Sequence, residues 1–249
     1  MYTRALADVE TLLFKYLECE PFNVDSDAVL ADAIDRVHPG LEWIKTPKGK
    51  RSTSKANMEI TLSGIGGYLG ALLQYRASIS TCVHTFMEPW YKQAIEGDGH
   101  MRCQWHTTRS DDAGARTGRM SSKPNLQNIP TLESAKFKQA IKLHAEFLPH
   151  LPPLPNVRSY IIADSEDHLL LDRDFSGQEL RVMAHFENGA ALKAYQDNPA
   201  LDLHQWAADM INQSLGLGIS RKQTKTCSFA ILYGSGLTTL AAQMGSDTS

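Results

Sequence analysis

A chain of 249 residues with 42% hydrophobic residues can bury a substantial core, as one large or two small domains. Its formal charge of -3 excludes a uniformly basic protein, so phosphate binding has to be sought in local patches. No run of about eighteen uncharged apolar residues exists, Met1-Tyr-Thr-Arg4 opens a polar segment, and Cys19, Cys82, Cys103 and Cys227 lack Cys-x-x-Cys spacing; a membrane span, an export signal and a zinc site are therefore not expected, and reduced thiols in a cytoplasm are.

Residues 1 to 44 show helix-like apolar spacing before Pro21 and again before Pro39-Gly40, which predicts two short helices. Lys45-Thr-Pro-Lys48-Gly-Lys50-Arg51-Ser-Thr-Ser-Lys55 carries five cations and no acid, a solvated basic loop or a phosphate-facing one. A long helix follows from Tyr68 to Phe86, bounded by Gly66-Gly67 and Pro89. His100 to Arg109 alternates as a strand, and Asp111 to Gly118 is turn-rich. The block Thr117-Gly-Arg119-Met-Ser-Ser122-Lys-Pro-Asn125-Leu-Gln127-Asn128-Ile-Pro130 comes next, and Asn-rich, Pro-bounded stretches of this kind are ordinarily loops.

A helix is expected over 131–148, then a stiff, Pro-rich spacer, Pro149 to Pro155. Asn156 to Ala163 reads as a strand pairing with Leu169 to Leu171 across a turn at Asp164 to Asp167. In Leu169-Leu-Leu-Asp-Arg-Asp174-Phe-Ser-Gly-Gln-Glu179-Leu-Arg181 an apolar run ends in an aspartate before Ser-Gly and a helix-like pattern. That predicts a buried strand delivering a carboxylate to its end, with Asp172 and Asp174 on one face. Such a carboxylate can hold Mg²⁺, which takes one or two carboxylates plus substrate phosphates. Asp202-Leu-His204 precedes a helix expected over Gln205 to Gln213, and Gly216-Leu-Gly218 turns the chain into the next one. There, Arg221, Lys225, Phe229 and Tyr233 recur every fourth residue, forming one stripe of two cations and two aromatics. Cations for phosphates and ring faces for a base suit a nucleoside triphosphate.

Asp174-Phe-Ser-Gly-Gln-Glu-Leu-Arg181 resembles motif A, and Arg221-x3-Lys225-x3-Phe229-x3-Tyr233-Gly234 resembles motif B, of family A DNA polymerases of the DNA polymerase I type. The Thr117–Pro130 block is similar to that family's primer-terminus segment, and Lys45 to Lys55 to a segment near the base of its thumb. The Ser-Gly of motif A and the following Ala-His-Phe are closer to the phage-type branch. The resemblance implies an α+β, right-hand polymerase fold, incomplete here. Residues 1–115 would be a helical thumb region with the basic loop 45–55. Residues 116–182 would be antiparallel palm strands with an insertion at 131–155, and 183–249 helical fingers.

It also implies roles. Asp174 and the carbonyl of Phe175 would hold Mg²⁺, Glu179 would be the steric gate excluding a 2′-hydroxyl, and His204, Arg221 and Lys225 would face phosphates, Lys225 catalytically. Phe229 and Tyr233 would face the base or sugar, while Lys48, Lys50, Arg51, Arg119, Asn125, Gln127 and Asn128 would contact DNA. Two departures stand out: Asp172-Arg173 sits where the family has apolar residues, and Ala230 replaces a glycine.

The function implied is template-directed DNA synthesis from deoxynucleoside triphosphates on primer-template DNA, in a bacterial or phage-infected cytosol. The family's second essential aspartate lies in a His-Asp-Glu motif well downstream of motif B, and no such triplet occurs in these 249 residues. The expectation is therefore the N-terminal part of a polymerase domain, inactive alone: either a truncated gene product or one half of a split enzyme that a second polypeptide would complete. The rivals are a catalytically incomplete nucleic-acid-binding protein and a single-subunit RNA polymerase relative, the latter opposed by Glu179.

Overall fold

Ala5, Leu6, Val9 and Leu13 recur at helical spacing, and in the computed structural model they form the buried face of helix α1 (Tyr2–Tyr16). The structure describes residues 1–107, 119–236 and 240, and the chain divides into two compact units, Met1–Leu169 and Leu170–Ser249. That division falls inside the segment expected to be palm, 116–182, so its residues belong to both units.

In the first unit both helices expected before residue 45 form, the second as α2 (Asp27–Val37). After a short helix, α3 (Lys55–Thr61), comes α4 (Gly67–Ser80), in which Leu69, Leu72, Tyr75 and Ile79 line one buried face and Ala71, Gln74 and Ser78 extend the burial to a second. A helix apolar on several sides belongs inside, and α4 packs against both α1 and α6 (Ala135–Phe147). Gly67 eases that approach: a Cβ there would lie 2.6 Å from the tip of the Phe147 ring, which would have to shift. The helix predicted to stop at Pro89 instead runs through a π-helical segment, Thr81–Met87, into α5 (Glu88–Glu96). Pro89 falls in the first turn of α5, a position that tolerates proline.

The Pro149 to Pro155 stretch is no free spacer. Leu148, Leu151 and Leu154 are buried in the unit's core, and the Tyr75 hydroxyl donates to the Pro152 carbonyl at 2.6 Å. Proline suits this role because its carbonyl can be satisfied while it has no N–H to bury unpaired.

A two-stranded antiparallel sheet is formed by β1 (Gln104–His106) and β2 (Ser121–Lys123), with Trp105 opposite Ser122. The hairpin expected between Asn156–Ala163 and Leu169–Leu171 does not form. Val157–Tyr160 is instead a 3-10 turn, in which the Asn156 carbonyl accepts from both the amide and the hydroxyl of Ser159. Leu169, Leu170 and Leu171 are 94%, 62% and 89% exposed, outside any strand. A local turn satisfies the Asn156 carbonyl at once, whereas an isolated two-stranded hairpin is marginal in water. Asp172 and Asp174 accordingly share no strand face; both are exposed in an irregular stretch.

The second unit contains α7 (Gln178–Glu187), α8 (Ala190–Asp197), α9 (Leu203–Leu215) and α10 (Arg221–Leu232). Among the described residues its buried cluster is small: Leu180, Ala184, Tyr195 and Leu203. The expected Gly216-Leu-Gly218 turn forms, with Gly216 at φ 65° ending α9. Ser220 then starts α10 through a capping box with Gln223. Among the described residues no helix is long and apolar enough to cross a membrane.

Candidate active site

The second unit gathers the residues of both motifs. Gly177 adopts φ 61° immediately before α7, a left-handed conformation that a side chain would strain, and this bend carries the exposed Asp174-Phe175 segment into the helix. Glu179 follows in the first turn of α7, where the helix dipole favours a negative charge. The Tyr233 hydroxyl, just past the end of α10, lies 2.8 Å from each Glu179 carboxylate oxygen and donates to them. Two segments 54 residues apart are thereby joined through a charge-assisted hydrogen bond.

The four-residue stripe forms on α10 as the spacing predicts. Phe229 and Tyr233 stack with ring centroids 6.3 Å apart and planes 15° apart, and the Lys225 ammonium lies 6.0 Å from the Phe229 centroid. Lys225 is exposed and Phe229 half-buried. Arg221 donates to Asp202 at 2.6 Å in a half-exposed ion pair, which holds the Asp202 carboxyl below the usual carboxylate range. Asp202 also accepts from the His204 and Gln205 amides, capping α9, so one carboxylate ties the start of α9 to the start of α10.

His204 is not at the surface as expected of a phosphate ligand. The residue is 7% exposed, its ring centroid lies 5.6 Å from that of Phe229, and its Nδ1 is buried without a hydrogen-bond partner among the described residues. Burial pushes the imidazole below its ordinary pKa, Asp202 opposes that shift, and Arg221 and Lys225 add to it. A neutral ring packed under Phe229 supports the stripe from behind. Ala230, where the family pattern has glycine, is buried with its small side chain.

Arg181 carries more of the geometry than its sequence reading suggested. It donates to the Ser176 carbonyl at 2.8 Å and to the Pro199 carbonyl at 2.6 Å, and its guanidinium lies 4.4 Å from the centroid of buried Tyr195. It thus fixes the turn after Asp174 to the loop that leads into α9. Asn212 likewise grips both the amide and the carbonyl of Ile219, setting the approach to α10. Asp202 could have been read as an N-cap from its place before an apolar helix; nothing in the sequence signals the carbonyl contacts of Arg181.

In the first unit the basic stretch folds as a tight loop closed by a Lys45–Arg51 bridge, with Lys48 and Lys50 exposed. Arg51, expected among the DNA-contacting cations, instead pairs with Asp32 and Asp35 and lies over Trp43. Asn125 is partly committed to its own loop, its side chain accepting from the Gln127 and Asn128 amides, and the Gln127 side chain donates to the Met120 carbonyl. Arg119, Gln127 and Asn128 are exposed, while Thr117 and Gly118 of this block lie outside the described residues.

All 249 residues match the model of DNA polymerase family A. The chain belongs to DNA polymerase family A. It is 31% identical over 237 residues to a thermostable DNA polymerase I of Thermus filiformis, covering 91% of this chain and 25% of that protein. It is 30% identical over 224 residues to DNA polymerase I of Bacillus subtilis strain 168, covering 86% and 22%. DNA polymerase DpoZ of Vibrio phage phiVC8 is 29% identical over 180 residues, 70% of this chain and 25% of that protein. Family A relatives thus come from bacteria and a phage, and the chain spans about a quarter of their length. Its fold is similar to the polymerase domain of Pol1 from M. smegmatis, solved in complex with DNA primer-template and dNTP. The TM-score is 0.63 at 19% identity, covering 99% of this chain and 39% of that one. The α+β fold is that of part of a polymerase domain.

Asp174 and the Phe175 carbonyl supply hard oxygen donors, and among the described residues no group of three His, Cys, Asp or Glu side chains closes a metal cage. An exposed carboxylate outside a cage suits Mg²⁺, which keeps waters and takes further oxygens from substrate phosphates.

Proposed function

We propose that this chain carries the nucleotide-binding side of a DNA-synthesising site, in which a primer 3′-hydroxyl attacks the α-phosphate of a deoxynucleoside triphosphate in line. The observation that carries this reading is the Tyr233–Glu179 hydrogen bond, because it brings motif A and the α10 stripe to one place. Lys225 presents an exposed ammonium to the phosphates. Arg221 joins it by exchanging Asp202 for phosphate, since an exposed ion pair contributes only about 0–1 kcal/mol. The stacked faces of Phe229 and Tyr233 take the base, and Glu179, held by the Tyr233 hydroxyl, lies under the sugar and excludes a 2′-hydroxyl. His204 acts indirectly, as the neutral support behind Phe229.

Mg²⁺ held by Asp174 and the Phe175 carbonyl would neutralise charge on the attacking and leaving oxygens. A two-metal site needs a second carboxylate besides Asp174, the part that the aspartate of a His-Asp-Glu motif would play. Lys48, Lys50, Arg119, Gln127 and Asn128 are the exposed groups we assign to primer-template DNA. A ribonucleotide polymerase is disfavoured because a Glu179 gate would oppose its own substrate.

The test is primer extension in an assembled form that includes a His-Asp-Glu-bearing palm segment. Lys225→Ala should lower nucleotide incorporation by about 10²-fold, the scale of removing one charge-stabilising donor, while DNA affinity changes by less than about twofold. Equal losses of incorporation and DNA binding would make Lys225 structural and defeat the assignment.

A further inference from the structure

Of the cations in the basic loop, Arg51 is set apart. Lys48 and Lys50 are exposed, whereas the Arg51 side chain is only 31% exposed and ends between two acids of α2, one guanidinium nitrogen on Asp32 and another on Asp35. Its guanidinium lies 5.7 Å from the centroid of the Trp43 ring, and the Trp43 indole N–H donates to the same Asp35. The loop that Arg51 closes is short and internally bonded. The Thr46 amide donates to the Lys50 carbonyl at 2.7 Å, the Ser52 amide to the Ile44 carbonyl at 2.8 Å, and Gly49 turns the tip at φ 75°. Beyond it, the Thr53 hydroxyl donates to Asp27, so three aspartates of α2 receive the returning arm.

We infer that Arg51 is a positioning residue that clamps this loop to α2 and presents Lys48 and Lys50 to DNA phosphates, rather than a phosphate ligand itself. The inference rests on the proposed DNA-binding reading for those two lysines. Asp32 and Asp35 put negative charge beside a DNA-binding surface, and the one guanidinium neutralises one of those two charges while hydrogen-bonding both carboxylates, so their use is to hold Arg51. Geometry explains why the cation is arginine. A planar fork can bridge two carboxylates while lying on an indole, and a lysine ammonium cannot do all three.

The experiment measures binding of the full 249-residue chain to a short DNA duplex across a salt series, with amide hydrogen exchange of residues 44–52 in parallel. Lys48→Ala and Lys50→Ala should each lower the slope of log affinity against log salt by about one. Arg51→Lys, which keeps the charge, should leave that slope unchanged. It should weaken binding about fivefold at every salt concentration, the ratio that an ion-pair contribution near the top of the exposed range converts to. It should also speed exchange of the Thr46 and Ser52 amides by about the same factor. The variant Asp32→Asn with Asp35→Asn should likewise weaken binding, although it removes two negative charges.

Wild-type affinity and exchange in Arg51→Lys, a slope lowered by one in Arg51→Ala, or tighter binding in the double-Asn variant would overturn the inference. If wild-type protein shows no salt-dependent binding, the DNA reading fails by itself. Exchange in Arg51→Lys then still decides whether the clamp exists.

Discussion

The two units are held together by different means. In the first, Leu13, Leu69, Leu72, Tyr75, Ile79, Phe86 and Leu148 are among many fully buried side chains in one continuous cluster, and polar links such as Arg76 with Glu10 and Asp25 lie at its margin. In the second, the buried apolar cluster among the described residues is four side chains, and the helices are positioned by polar stitches: Arg181 to two carbonyls, Asp202 to Arg221, Asn212 to Ile219 and Tyr233 to Glu179. Burial is non-directional and roughly additive, so it gives stability; hydrogen bonds contribute less but fix direction. The unit that carries the candidate chemistry is the one that depends on direction.

That contrast can be broken most plainly in the first unit. Phe86 is 1% exposed and packs edge-on to Trp90 with ring centroids 5.6 Å apart. Phe86→Ala should cost about 3–5 kcal/mol, read from the urea midpoint at unchanged slope. A loss under about 1 kcal/mol would mean that this core is not the continuous body described.

A smaller effect is expected at Arg181. Arg181→Ala removes two carbonyl contacts and the Tyr195 stacking, and should cost about 1–2 kcal/mol. It should also speed amide exchange around Ser176 and Gly177 more than elsewhere, and uniform acceleration would show that the guanidinium holds the whole unit rather than the turn.

The smallest effect comes from pH. His204 is buried and its pKa is depressed, so the unfolded chain binds a proton that the folded chain does not. The stabilisation is fully present above the ordinary histidine pKa and declines as pH falls through and below it, with a slope of at most about 1.4 kcal/mol per pH unit. His204→Phe should flatten that part of the profile. An unchanged profile in equilibrium unfolding from pH 7 to pH 5 would show that another group is responsible.

How far the sequence could be read follows the same division of forces. Helices at periodic apolar spacing were legible, as α1, α2, α9 and α10 show, because burying one face is what that pattern encodes. The stripe from Arg221 to Tyr233 was legible for a different reason: residues four apart share a helix face whether or not that face is buried. The palm hairpin was misread: the apolar run of Leu169 to Leu171 lies exposed, because alternation and apolar content say what could pair but not whether a partner strand is there to pair with. His204 and Arg51 sit otherwise than their residue types suggest, for another reason. Their residue types fit phosphate, but their positions put one under Phe229 and the other between Asp32 and Asp35, and such long-range neighbours are not written in local spacing. The role of Arg181 is not legible in the sequence, since carbonyl partners leave no trace in side-chain identity.

The central claim is that Glu179, oriented by Tyr233, stands under the sugar of an incoming nucleotide. The measurement that tests it most directly is the ratio of ribonucleotide to deoxynucleotide incorporation by Glu179→Ala in an active, assembled form. The ratio should rise by at least about tenfold, since a built exclusion of one hydroxyl corresponds to a factor of that order or more. Tyr233→Phe, which keeps the ring but removes the hydroxyl that holds Glu179, should raise it by less. A ratio unchanged in Glu179→Ala while DNA synthesis survives would contradict the account.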